Sequence, residues 1–280
     1  MRALGFLKSS YHSVFAYRFD VFIGLFNNLV VFTIQYYLWK AVFKSSNGSF
    51  LGISEANYIL YIGFGLLLGQ ITSNNIDRRI AKGVRTGNII FDLMRPAKFE
   101  LQMFFHTCGE LLARSFGLVP ILVVLFFVVD LESIDLLRLG LFIPSAIFAV
   151  VISFQVNLLW GLLSFKTRNA WGLHLLKVNL FPLLSGQIVA FTVLHSVYEG
   201  VGEGLISQFV GDLSVGLYWL SYCLPLQAIY FTPSGLLSGL LSWEQVYPHI
   251  LLQLFWIAIL YLTTRYSVHR LINSFEVQGG

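Results

Sequence analysis

Long apolar runs separated by short polar breaks organise this chain. The runs lie at about 21–42, 56–76, 101–129, 136–165, 171–193 and 250–268. Each is close to, or longer than, the ~20 residues a helix needs to cross a bilayer, so the pattern predicts six spans. Residues 44–48 form a turn, 130–135 an acidic loop and 166–169 a basic break. Residues 1–20 differ: Leu4, Leu7, Tyr11, Val14 and Phe15 recur at helical spacing, away from Lys8, Ser9, Ser10 and Ser13. That spacing predicts an amphipathic helix lying in the membrane interface. Residues 195–248 differ again. Their apolar patches are short, interrupted by Pro225 and Pro233 and preceded by Gly200, Gly202, Gly204 and Gly211. They read as short outer helices that re-enter the membrane without crossing, although two further crossings would satisfy the same parity. Irregular backbone at membrane depth must be buried in protein or line a wet cavity, which makes 195–248 a gate-like element.

Composition narrows the class. Charged residues make up 11% of the 280 residues and hydrophobic ones 56%, with a mean hydropathy of +0.74. Soluble domains carry roughly 25% charge, so no large soluble domain fits, and 1–280 reads as one all-α integral membrane domain. Lys and Arg are unevenly placed. Arg2, Lys8 and Arg18 precede the first run; Arg78, Arg79, Lys82, Arg85, Arg95 and Lys98 fall in 77–100; Lys166, Arg168 and Lys177 mark the next break on that side; Arg265 and Arg270 end the chain. The opposite side has Lys40, Lys44 and Arg138 against eight acidic residues. By the positive-inside rule both termini and residues 77–100 are cytoplasmic, with 130–136 and 197–214 outside. The pI near 9.0 then reflects cytoplasmic flanks and membrane lipids as partners, not nucleic acid. No cleavable signal peptide is visible.

Nucleotide, zinc-protease and serine-hydrolase motifs are missing from the sequence, and Cys108 and Cys223 lack metal-ligand spacing. No metal, no cofactor and no catalytic residue is expected on the chain itself. Glu110 and Arg114, four residues apart, form a candidate intramembrane ion pair, read either as a substrate or proton site or as a structural pair. Asn27, Asn28, Gln155 and Asn157 are amides inside spans; they either join helices by hydrogen bonds or line a pathway. The stretch 77–100 is basic, yet interleaved with Ile80, Val84, Ile89, Phe91 and Met94. A cytoplasmic helix offering an apolar face to a partner explains that interleaving; a helix resting on anionic headgroups is the alternative.

The run IAKGVRTGNIIFDLMRP resembles the G-x-(L/I)-x-x-x-L-x-R-P segment of ABC-2 type permeases, in the small multidrug-type branch of bacterial exporters. YRFD before the first span, FPLLSG in the fifth, LPLQAIYFTPSGLLSG before the sixth and the terminal VQGG follow in the family's order. The resemblance implies six spans, an interfacial N-terminal helix, a cytoplasmic coupling helix between spans 2 and 3 and outer helices between spans 5 and 6. It implies a permease in the bacterial cytoplasmic membrane, exporting a hydrophobic or amphipathic substrate such as a drug, lipid, peptide or glycan. Its expected partners are two ATPase subunits, which hold ATP and Mg, and a second permease chain, with a heterodimer preferred. Ile80, Lys82, Gly83, Val84, Arg85, Gly87, Asn88, Ile89, Phe91 and Asp92 are the matching coupling residues, with Val84, Ile89 and Phe91 as apolar anchors. The outer segment departs from the family: 187–191 lacks the usual proline and 195–219 looks enlarged. The competing assignment is a secondary transporter or channel of unrelated fold.

Overall fold

A computed structural model describes residues 5–7, 9–11, 18–45, 49–50, 52–115, 118–128, 135–167, 170–193, 212–213, 215–216, 218–220 and 222–273. The fold is helical. In chain order the elements are α1 (Arg18–Ser45), α2 (Glu55–Thr72), α3 (Ile76–Thr86), α4 (Ile89–Leu93), α5 (Phe99–Arg114), α6 (Leu118–Val128), α7 (Leu136–Leu162), α8 (Ala170–Leu184), α9 (Phe231–Ser238) and α10 (Trp243–Asn273). A two-residue ribbon, Ser49–Phe50 against Ile53–Ser54, turns at Gly52 between α1 and α2.

Sequence chemistry explains the boundaries. Ser54 caps α2, accepting from the Asn57 amide at 3.3 Å, and Asp135 caps α7, accepting from Leu137 at 2.9 Å. The expected fourth span, 136–165, is met by α7 and the 3-10 turn Leu163–Phe165 that continues it. The last helix begins at Trp243, earlier than expected, and carries Pro248 within it. Two expected spans are interrupted. The run 101–129 divides into α5 and α6, bent by 49°; Pro120 lies in the first turn of α6, where its missing N–H is tolerated. The run 171–193 stops as a helix at Leu184, and the chain turns through Gly186 at φ +81°, a left-handed conformation suited to glycine.

Among the described residues, two helices, Leu136–Phe165 and Trp243–Leu271, are long and apolar enough to cross a membrane, and the bent α5–α6 pair makes a third if it is one span. Central α2 has most of its length buried, and Tyr58, Tyr61, Leu66 and Leu67 join Phe191, Phe231 and Leu236 in the main core. A second core under α3 gathers Ile76, Ile80, Ile89, Phe99, Met103, Leu158 and Val268.

Between α8 and α10 the described chain folds back among the other helices. Thr72 Oγ1, at the end of α2, donates to Tyr230 Oη (3.3 Å), and Gln253 of α10 donates to the Ala228 carbonyl (2.8 Å). α9 then returns toward the start of α7, where Arg138 donates to the Leu236 and Leu241 carbonyls, both at 2.9 Å, and stacks on Trp243. With eight residues, α9 is about 12 Å long, too short to cross. Residues 1–4, 12–17, 129–134, 194–211 and 274–280 lie outside the described residues. With them go most of the N-terminal interfacial helix, the acidic loop, the enlarged part of the outer segment and the VQGG tail.

Candidate functional site

The elbow formed by α3 and α4 is built from one amphipathic pattern. Ile76 and Ile80 sit one turn apart and are fully buried, while Arg78, Arg79, Lys82 and Arg85 are exposed. α3 ends at Gly87, whose φ of +75° reverses the chain. α4 then folds back so that Ile89 enters the core beneath α3. Gly83 lies inside α3. A Cβ there would stand 3.3 Å from Ile89 Cδ1, so its lack of a side chain admits the returning α4.

The ten coupling residues thus divide. Ile80 and Ile89 belong to the chain's own core, and Val84 packs against it half-buried. Ile89, one of the three expected anchors, offers nothing to a partner in this arrangement. Lys82, Arg85, Gly87, Asn88 and Phe91 are exposed, and Asp92 is half-buried, 3.4 Å from Arg95. Phe91 is 67% exposed and its neighbour Met94 76%, which leaves an apolar pair beside a basic strip.

The N-terminal end of α3 is fastened to α7 and α8. Asp77, its side chain 5% exposed, meets Lys177 of α8 at 2.7 Å and His174 Nδ1 at 3.4 Å. Lys177 also donates to Asn157 Oδ1 of α7 at 2.7 Å. Asn157 donates to the Ser153 carbonyl (2.8 Å), and Ser153 Oγ to the Thr72 carbonyl (2.7 Å). One polar chain therefore joins α3, α8, α7 and the end of α2. Gly161 makes the approach feasible: a Cβ there would lie 3.0 Å from Asp77 Cα and 2.9 Å from Ile80 Cδ1. Lys177 was counted among the loop charges; it is a buried ion-pair partner on a helix, because a carboxylate from another element stands beside it. His174 and Lys177, three apart in an apolar run, share a helix face, which is the only trace of this cluster in the sequence.

The other candidates separate. Glu110 and Arg114 are 3.6 Å apart, and Arg114 also donates to the Ser73 carbonyl at 3.0 Å, so the pair links α5 to the end of α2. Among the amides, Asn27 is exposed, and the side chain of Asn28 lies outside the described residues. Asn157 joins the polar chain just described. Gln155, two residues earlier, is buried on the floor of a groove of about 1080 Å³ between α5, α7 and α10, which Glu100, Lys98 and Arg265 also line. No common path gathers these amides among the described residues. No cluster of His, Cys, Asp or Glu there could hold a metal ion.

A protein-family profile described as ABC-2 family transporter protein matches residues 29–198, which include α2, the whole elbow, α7 and α8. The chain belongs to the ABC-2 transporter family. An ABC-2 protein is the transmembrane permease component of an ABC transporter and is not itself catalytic. No curated protein and no solved structure matches this ABC-2 chain significantly.

Proposed function

We propose that the chain is the permease half of an ATP-driven exporter, crossing the bacterial cytoplasmic membrane six times with both termini inside, and that its α3–α4 elbow docks on a separate ATPase subunit. Two permease chains, a heterodimer by preference, and two ATPase subunits make up the assembly; ATP and Mg sit on the ATPases. The six spans are α1, α2, the bent α5–α6 pair, α7, α8 and α10, and the re-entrant segment ending in α9 is the outer gate.

One observation carries this reading. The elbow presents Lys82, Arg85, Phe91 and Met94 outward, while on its opposite face Ile76 and Ile80 share a core with residues of α5, α7 and α10 and Asp77 pairs with Lys177 of α8. A surface that captures a partner and is fastened behind to the spans can transmit displacement. A headgroup-resting helix has no need of the fastening. Closure of ATP-bound subunits would push on the elbow and shift α7 and α8 together. The substrate would leave between the two permease chains, and its class is hydrophobic or amphipathic.

Pull-down of the ATPase by Phe91→Ala and by Arg85→Ala tests the docking. Binding energy concentrates in a few desolvated aromatic or apolar residues, and rim charges contribute less. Phe91→Ala should lose on the order of 2 kcal/mol of docking and uncouple hydrolysis from export while the protein still inserts. Arg85→Ala should mainly change the salt dependence. If Phe91→Ala behaves as wild type while loss of Lys82 and Arg85 abolishes activity, the elbow rests on lipid instead.

A further inference from the structure

A second groove, of about 820 Å³, lies between α7, α8 and α10. Its wall is apolar for most of its depth: Val156 on α7, Phe181 on α8, Leu260 on α10 and Leu226 of the re-entrant segment. Its charges gather at one end. Lys166 follows α7 and Arg270 closes α10, and neither forms an ion pair among the described residues. None of the described residues that line it is acidic, whereas the larger groove on the other flank of α10 carries Glu100 beside its basic residues.

The dimensions are informative. From Leu260 to Arg270 is ten helical residues, about 15 Å. One leaflet of a bilayer's hydrocarbon core is also about 15 Å deep, half of the ~30 Å total. Two cations with no ion pair among the described residues, over an apolar slot one leaflet deep, complement a molecule with an anionic head and hydrocarbon tails. We propose that this groove binds an anionic phospholipid of the cytoplasmic leaflet, its phosphate between Lys166 and Arg270 and an acyl chain against Leu260 and Leu226. The leaflet rests on the orientation given above; the binding does not. Because Leu226 precedes the tip of the re-entrant segment, the lipid packs against the base of the proposed gate.

The full-length chain, purified in mild detergent, is mixed with phosphatidylglycerol or phosphatidylcholine of identical acyl chains, and bound lipid is counted by native mass spectrometry. Phosphatidylglycerol should be held on the order of tenfold more tightly, since each cation near a headgroup layer contributes about as much as a severalfold gain in affinity. Lys166→Gln with Arg270→Gln should erase the preference. Ser267→Trp, which keeps both charges and fills the groove, should abolish retention of either lipid. A photo-crosslinking benzoylphenylalanine in place of exposed Tyr266, which lines the groove, should capture lipid. Equal retention of the two lipids by the wild type overturns the proposal. So does a preference that survives the double change, or a crosslink from position 266 to a second copy of the chain. The readout involves neither an ATPase nor topology, so its failure leaves the exporter reading standing, and the reverse also holds.

Discussion

Two buried polar regions of this protein look alike in exposure and differ in how they are satisfied. At the start of α3, Asp77, Lys177, Asn157 and Ser153 each hold at least one partner, although Asp77 Oδ1 and Asn74 Oδ1 are left over. Around the start of α9, Gln227, Thr232 and Ser234 are at least as deeply buried, and no polar atom of their side chains has a hydrogen-bond partner among the described residues. Burial alone therefore says little about what a polar residue contributes. Charges that meet at 2.7 Å fasten two elements, because removing one partner strands the other in a medium that cannot solvate it. Unpartnered hydroxyls and amides fasten nothing and carry their desolvation cost uncompensated. The cluster at Asp77 acts as a rivet, whereas the segment 227–234 is held by packing and by the bonds at Ala228 and Tyr230, to which these three side chains add none.

Substitutions of opposite sign put this contrast to the test. Lys177→Met should have the largest effect, a loss of about 3–5 kcal/mol, since it leaves the Asp77 carboxylate buried with only His174 nearby. Thermal unfolding followed by tryptophan fluorescence in detergent measures it. Adding Asp77→Asn should recover much of the loss; if the double variant is worse than either single one, the pair is not the rivet described. Gly161→Ala comes next, at about 1–3 kcal/mol, because its methyl group must displace the α3 backbone at Asp77 Cα. The same melt reads it, and an unchanged midpoint would show that α3 can back away freely. Thr232→Val should be smallest and positive, a gain of about 1 kcal/mol from replacing an unpartnered hydroxyl by a methyl group. A loss there would mean that the hydroxyl is engaged, and the contrast between the two regions would collapse.

How much of this was legible depended on whether the cause was local. The α7 span could be read directly, since its apolar run, its Asp135 cap and its basic end are contiguous. The amphipathic face of α3 was equally visible in the spacing of Ile76 and Ile80. Breaks inside apolar runs were harder. The polar start of the run 101–129 gives way to a wholly apolar end across the α5–α6 bend, yet neither that run nor the one continuing beyond Gly186 is interrupted by a loop-like stretch, and Pro120 and the glycine mark the change of direction. Partnership was not legible. Gln155 and Asn157 are neighbours in sequence and both amides, yet one floors a groove and the other holds a lysine. Ile89 and Phe91 look interchangeable as anchors, but Gly83 draws the first inward and leaves the second outside. Each of these outcomes depends on a residue of another element, which no window along the chain contains.

The Asp77–Lys177 contact also has a consequence for biogenesis. Its two residues are about a hundred positions apart, and a ribosome adding roughly 5–20 residues per second needs on the order of ten seconds to travel between them. During that interval α3 has been made but its carboxylate has no lysine to meet, and α7, which carries Gly161, is itself still being synthesised. The α3–α4 elbow therefore takes its final position only after α8 has been made. A nascent chain stalled before α8 would leave α3 without this anchor, so on the proposed docking role capture of an ATPase that needs the anchored elbow is deferred until the permease can respond to it.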